Sequence, residues 1–305
     1  MRTANDYYRA RFGGKVYRIS LNGGMTCPNR DGTLDTRGCL FCSRGGSGDF
    51  ASSAALSVPE QLVTAKQKIA AKLPKNRETF AGYLAYFQAF TNTYAPVAYL
   101  KGIFEDALSD PEVVGLSVAT RPDCLSEECI SLLSSLNNSK PVYVELGLQT
   151  IHEQTAALIR RGYPLSVYDD AVSRLQAARL PVITHVILGL PKETKEDMLA
   201  TVKHVVKAGI HGIKLQLLHV LQDTDLADYY RTASPSEFAC MTLDAYTDIL
   251  VSVLPLIPEE TVLYRITGDG PKRTLIAPLW SGDKKHVLNT LRHHLERSSL
   301  CNPKC

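Results

Sequence analysis

The sequence has no apolar run of the ~18 residues that a membrane-crossing helix needs. The stretch from Met1 to Gly14 lacks an apolar core followed by a small-residue cleavage site. No secretory signal is therefore read, and a cytoplasmic protein without membrane contact is expected. With 20 glycines and 16 prolines in 305 residues, the chain is not collagen-like or low-complexity. No charge of one sign dominates: 34 Lys and Arg face 31 Asp and Glu, a net charge of +3. Apolar residues make up 45% and charged residues 21%, which fits a folded globular chain and argues against disorder. The length permits one large domain or two smaller ones.

What is present is an alternation of strand and helix patterns. Lys15–Leu21 is a short β-type run ended by Asn22-Gly23-Gly24. Further strands are expected at 79–89, 113–119, 141–148, 182–188 and 211–218. The runs Val113–Ala119 and Val182–Leu188 are continuously apolar, as in strands buried on both faces. Helices are expected between them at 59–72, 96–108, 126–136, 151–160, 166–178 and 194–207. Such alternation implies βαβ crossovers and a parallel sheet, either doubly wound or closed into a barrel. No G-x-G-x-x-G follows the first strand, so a dinucleotide fold is disfavoured. Polar residues gather at the C-terminal ends of the strands, which fits a barrel. From about Thr224 onward, helices are expected at 236–254 and 284–297, with a hairpin near Gly268-Asp269-Gly270. The expected organisation is a barrel over 1–223 and an α/β extension over 224–305 packing on it.

Eight cysteines are unevenly spread. Cys27, Cys39 and Cys42 fall in one glycine-containing loop after the first strand, spaced Cys-x11-Cys-x2-Cys. In a chain of this size such thiols point to metal or catalysis rather than disulfides. A structural zinc site normally has four ligands, yet no His or further Cys lies between Met1 and Val58. Three thiolates with one open position suit an iron–sulfur cluster that also binds a substrate. A zinc site completed from a distance, or three unconnected thiols, are the other readings of the spacing. Cys124 and Cys129 read as packing residues, and Cys301 and Cys305 as incidental thiols on a loose tail.

With Phe41 before the last cysteine, this loop resembles the cluster motif of radical S-adenosylmethionine (SAM) enzymes. The longer first spacing resembles the subfamily of the Elongator catalytic subunit, in a short bacterial branch of about this length. The block Leu21-Asn22-Gly23-Gly24-Met25-Thr26-Cys27-Pro28-Asn29-Arg30-Asp31-Gly32 carries the likeness. So do Tyr86-Phe87-Gln88-Ala89-Phe90-Thr91-Asn92-Thr93-Tyr94, Ala119-Thr120-Arg121-Pro122-Asp123, Glu145-Leu146-Gly147-Leu148-Gln149-Thr150, Leu188-Gly189-Leu190-Pro191 and Thr267-Gly268-Asp269-Gly270-Pro271. The resemblance implies a partial (β/α)6 TIM-like barrel with Cys27, Cys39 and Cys42 holding a [4Fe–4S] cluster. It further implies that SAM is cleaved by one electron, from a donor such as flavodoxin or ferredoxin, to a 5′-deoxyadenosyl radical that abstracts hydrogen.

The SAM contacts are expected at strand ends. Gln88, Thr91 and Asn92 stand where the family binds the SAM amino group, although the family's Gly-Gly-Glu is missing here. Glu145 and Gln149 flank the end of one strand, and Glu145 is either an ion-pair partner or, the preferred reading, a ligand contact. Arg161 is favoured over Arg160 for the SAM carboxylate, with a solvated helix end as the alternative. His185 is a core histidine or a SAM contact, and Gly189 marks a close backbone approach. Gln216 and His219 are expected to face the pocket. Leu218 or Val220, and the backbone of Phe41, are placed near adenine, with plain core packing as the alternative for the apolar pair.

Basic residues Arg2, Arg9, Arg11, Lys15 and Arg18 interleave with Tyr7, Tyr8, Phe12 and Tyr17, and the stretch from Lys284 to Cys305 carries about +4. These ends either grip a phosphate backbone or form solvated surface. The resemblance points to transfer RNA, and to remodelling of a carboxymethylaminomethyl group on the wobble uridine. Radical chemistry on a metabolite or peptide, and a zinc-stabilised RNA-binding module, are the competing functions.

Overall fold

The computed structural model describes residues 1–297, with 50, 75, 269 and 271 excepted. Cys301, Cys305 and the expected loose tail lie outside the described residues. The chain opens with β1 (Arg2–Thr3) and helix α1 (Ala4–Phe12). There follow β2 (Lys15–Leu21), α2 (Val58–Ile69), β3 (Phe80–Phe87), α3 (Val97–Ser109), β4 (Val113–Thr120), α4 (Glu127–Asn137) and β5 (Val142–Gln149). Then come α5 (Glu153–Leu158), α6 (Leu165–Ala177), β6 (Val182–Leu188), α7 (Lys195–Lys207) and β7 (Gly212–Leu217). The remainder holds β8 (Val220–Leu221), α8 (Asp225–Thr232), α9 (Leu243–Val253), β9 (Val262–Arg265), β10 (Leu275–Ala277) and α10 (Lys284–Arg297).

Eight strands form one parallel sheet in the order β1-β9-β7-β6-β5-β4-β3-β2. The six expected strands are its body, and the sheet curls into a partial TIM-like barrel with helices outside. Local chemistry sets the helix starts. Thr194 accepts from the Asp197 amide while Asp197 accepts from the Thr194 amide, a reciprocal cap. Ser126 caps α4 in the simpler way, accepting from the Cys129 amide. Helix α3 buries Leu100, Phe104, Ala107 and Leu108 on one face, and Phe104 meets Phe87 of β3 edge-on at 5.1 Å. That contact is worth roughly 0.5–1.5 kcal/mol beyond its buried area.

Helix α1 has no counterpart in the sequence expectations. Thr3 and Asp6 cap its start, and left-handed Gly13 ends it. Its Tyr7 and Tyr8 close the N-terminal end of the barrel, against Tyr143, His211 and Tyr264. They are core residues, so the reading of these rings as part of a phosphate grip is corrected. Two further elements differ. The expected helix 236–254 begins only at Leu243, because Thr242 caps it there, accepting from the Ala245 amide. The expected hairpin does not form: β9 joins the main sheet beside β7, whereas β10 pairs antiparallel with β8. Through β9 the stretch after Thr224 therefore contributes to the barrel sheet itself. Among the described residues no helix is long and apolar enough to cross a membrane.

Candidate active site

A cavity of about 490 Å³ opens at the C-terminal ends of the strands. Every strand from β2 to β7, and β9, supplies a side chain to it: Arg18, Tyr86, Thr120, Glu145, His185, Lys214 and Arg265. Cys27, Cys39 and Cys42 line its mouth.

The cluster loop is tied to the barrel by its backbone. The Leu40 amide donates to Ile159 O at 3.0 Å, and the Leu226 amide donates to Leu40 O at 2.8 Å. The Cys42 amide donates to Cys39 O at 3.0 Å, which turns the Cys-x2-Cys pair back on itself. Arg30 lies across the loop, donating to Cys42 O and Ser43 O at 2.9 and 2.7 Å. Gly38 makes room for it: φ is +79°, and a Cβ there would stand 2.7 Å from Arg30 Nε. Asn29 Nδ2 donates to Arg160 O at 2.7 Å and to Cys39 Sγ at 3.4 Å.

This donor set fits an iron–sulfur cluster. Burial, with Cys42 alongside, pushes the Cys39 thiol up to about 12, and burial also raises Cys42. The metal-free thiols keep their protons, and metal binding displaces them. Arg121 near Cys39 and Arg30 near Cys42 pull the other way, offering positive charge to the thiolates. Among the described residues no three His, Cys, Asp or Glu form a group able to hold a single metal ion. A zinc ion needs its donors on one centre, whereas a four-iron cluster gives each thiolate its own iron.

Of the expected SAM contacts, Phe41, Gln88, Thr91, Glu145, Gln149, Arg161 and His185 line the cavity. Gln88 Oε1 accepts from Ser20 Oγ, and its Nε2 donates to Ser47 O, linking β3 to the cluster loop. Gln149 has φ +72° beside an irregularity in the β5–β6 register, where the strand re-aims its last side chain. Arg161 is buried and committed to the chain: it donates to Tyr163 O, Thr150 O and Glu153 at 2.9, 2.5 and 3.2 Å. Gln216 and His219 also line the cavity.

Two expected contacts are corrected. Asn92 is fully buried outside the lining and ties β3 to β4, its Nδ2 donating to Phe87 O and Ala119 O. Val220 is fully buried in a core cluster with Leu218, Ile187 and Phe238, while its neighbour Leu221 faces the cavity. Strand alternation turns one residue of that pair inward and the other outward. Gly189 likewise approaches Met241 rather than the cavity: a Cβ there would stand 2.6 Å from the Met241 methyl.

Arg18, Tyr86, Lys214 and Arg265 form the inner end of the cavity and were absent from the expected site. Glu145 is their hub. It is 0% exposed and accepts from Ser117 Oγ at 2.5 Å and from Lys214 Nζ, with Arg18 Nη1 at 3.4 Å and His185 Nε2 at 2.7 Å. Both oxygens thus serve protein partners. Burial opposes its charge, but Lys214, Arg18 and His185 more than offset that and hold its carboxyl well below the usual range. Burial and Lys214 bring His185 down to about 4, against Glu145, so the ring is neutral at pH 7. Its Nε2–H donates to Glu145, leaving Nδ1 to accept from Gln216 Nε2 at 3.1 Å. The Tyr86 ring lies 4.5 Å from the Arg18 guanidinium and 4.7 Å from Lys214 Nζ.

Comparison with known proteins agrees with this geometry. The family described as the Radical SAM superfamily matches residues 36–205, and the Radical_SAM C-terminal domain matches 210–297. The chain belongs to the radical SAM superfamily. YtqA of Bacillus subtilis is 42% identical over 294 residues, covering 96% of this chain and 89% of its own. Elongator complex protein 3 of Schizosaccharomyces pombe is 25% identical over 189 residues, 60% of this chain and 34% of that one. In fold, the chain resembles the archaeal Methanocaldococcus infernus Elp3 with a TM-score of 0.70 at 17% identity, covering 95% of this chain and 64% of that structure. The radical SAM match starts after Cys27, so that ligand is placed by the cavity and the loop, not by the family match. The cofactors of this enzyme family are a [4Fe–4S] cluster and SAM, and the cavity has the size and donors for both.

Proposed function

We propose that this radical SAM enzyme acts on the modified wobble uridine of transfer RNA, remodelling its carboxymethylaminomethyl side chain. The observation that carries this reading is the sequence similarity to Elongator complex protein 3, which extends over 189 residues, 60% of this chain. When bound, the cluster and SAM supply a 5′-deoxyadenosyl radical, chemistry that no side chain provides. The protein's own residues do the rest. Cys27, Cys39 and Cys42 hold the cluster at the mouth. Gln88, Thr91 and Gln149 present polar atoms at the strand ends, where SAM would lie. Tyr7 and Tyr8 seal the opposite end of the barrel from water. A flavodoxin or ferredoxin supplies the electron at the exposed cluster loop.

Two measurements test this. The holoprotein, reconstituted anaerobically with iron and sulfide, is expected to be brown, to bleach on reduction and to release 5′-deoxyadenosine. A colourless protein holding stoichiometric zinc after anaerobic purification would instead favour a zinc-stabilised module. Nucleosides from the transfer RNA of a deletion strain are expected to accumulate the carboxymethylaminomethyl form, and an unchanged profile overturns the tRNA reading.

A further inference from the structure

We propose that the inner end of the barrel, built by Arg18, Lys214 and Arg265, is a binding site for a carboxylate carried by the substrate. Among the described residues three basic side chains meet there with one carboxylate, Glu145, so positive charge exceeds negative. His185 is neutral, and Tyr86 keeps its proton, so neither changes that count. Asp49, the other acidic residue of the lining among the described residues, stands at the cluster loop and accepts from Ser43. Lys214 is 2% exposed. Arg265, at the end of β9, makes no ion pair among the described residues and faces the same cavity. Excess positive charge beside the buried Lys214 and Glu145 is costly without a partner, and an anionic ligand supplies one. An Arg fork matches a carboxylate in two parallel hydrogen bonds.

The shape selects a terminal group. Below Arg18 the barrel is closed by the rings of Tyr8, Tyr143 and Tyr264, with centroids 6.2 and 6.0 Å apart from Tyr8. A phosphodiester has chain on both sides and cannot end in a closed pocket, whereas a side-chain carboxylate can. The assignment of that carboxylate to a carboxymethylaminomethyl group rests on the proposed function; the chemistry of the site does not.

The test uses the holoenzyme with SAM and three anticodon stem-loop RNAs, carrying carboxymethylaminomethyluridine, aminomethyluridine or uridine at the wobble position. The carboxylate RNA is expected to bind about tenfold or more tightly than the other two, the worth of one charge-assisted contact. Arg265→Gln and, separately, Arg18→Gln are expected to erase most of that preference while SAM affinity stays within about threefold, well short of that tenfold step. Arg265 is exposed and makes no ion pair among the described residues, so its variant is expected to fold. Equal affinity for the three RNAs overturns the carboxylate site and leaves the tRNA reading standing. A parallel loss of SAM affinity also overturns it, because the cations then serve SAM. If no RNA binds, acetate, acetamide and inorganic phosphate are compared by their effect on Tm. Stabilisation of the wild type by acetate, absent in Arg265→Gln, supports the site and removes the tRNA reading. Stabilisation by phosphate over acetate, or by neither, overturns the site.

Discussion

Glu145→Gln tests the charged hub of the barrel most directly. Glutamine keeps the shape and can still accept from Ser117, but it leaves Lys214 and Arg18 without their counter-charge. Breaking a buried pair from one side costs about 3–5 kcal/mol. For the lysine, an upper limit follows from its escape route. Lys214 can give up its proton, and at pH 7 that costs roughly 1.36 × (10.4 − 7), about 4.6 kcal/mol. At ~2.1 cal/mol/K per residue, the unfolding entropy of 305 residues is about 0.64 kcal/mol/K. A loss of about 3–4.6 kcal/mol therefore lowers Tm by about 5–7 °C. The pH dependence has a definite sign. Burial and Arg18 already pull Lys214 down, and Glu145 is the group opposing them. Without it the folded pKa of Lys214 falls further below the unfolded value, so the unfolded chain binds the extra proton and the variant gains stability as pH rises from 7 toward 10. The wild type, with Glu145 holding that proton in place, gains less over the same window. The deficit is expected to shrink by up to about 1.4 kcal/mol, or about 2 °C, per pH unit between roughly pH 7 and 9. Differential scanning calorimetry of the metal-free protein at these pH values measures both. A Tm loss under about 1 °C at pH 7, or a deficit that does not shrink with pH, refutes the hub as a stabilising ion pair.

Three further outcomes are expected. Cys27→Ala, Cys39→Ala and Cys42→Ala should each abolish the brown chromophore and bound iron while circular dichroism stays unchanged; a full cluster in any one of them removes that residue as a ligand. His185 should keep a neutral imidazole with Nε2 protonated down to about pH 5, visible by nitrogen NMR, because its pKa sits at about 4. Between the unfolded value near 6.5 and that folded value only the unfolded chain takes the proton, so this residue makes stability fall as the pH drops through that window; an imidazolium signal at about pH 6 would contradict the network. Val220→Ala should cost about 2 kcal/mol, roughly 3 °C in Tm, because two buried methyl groups are lost. Its SAM affinity should stay within about twofold, and a tenfold weakening would return Val220 to the binding site.

The parts of the fold legible in the sequence are those encoded locally. Val182–Leu188 forms the strand its unbroken apolar run specifies, and Thr194 caps the next helix through a contact three residues away. The cluster loop is legible for the same reason: its ligands sit within one short segment. Other parts depend on contacts distant in sequence. The four-residue β9 has little periodicity of its own, and its place beside β7 is set by tertiary pairing. Tyr7 and Tyr8 become core only because Tyr143, His211 and Tyr264 come to meet them. Arg18 carried a readable signal that the charge count of the N-terminal segment obscured. In a strand, alternate residues share a face. Arg18 and Ser20, Tyr86 and Gln88, and Lys214 and Gln216 are such pairs, and all six line the cavity. Polar residues repeating every second position in strands otherwise apolar mark the inner wall of a barrel.

That inner wall sorts its charges by depth. At the mouth, Arg30 and Arg121 stand beside three cysteines, and the thiolates of a cluster would supply the opposing charge. Arg121 is further held by Asp123, with Nε and Nη2 at 2.9 and 2.7 Å from the two carboxylate oxygens, and Arg161 by Glu153. At the inner end, among the described residues, Glu145 answers only part of the positive charge around it. A structural ion network would be expected to close on itself, as the mouth does once its cluster is in place, because unpaired buried charge is destabilising. The asymmetry therefore separates two roles within one cavity. Ser117, His185 and Gln216 are joined to Glu145 by a chain of hydrogen bonds, and Glu145 in turn holds Lys214 and Arg18 in position. The cations it fixes retain unspent positive charge, and a group arriving from the mouth would reach that charge only after passing the place where SAM would lie.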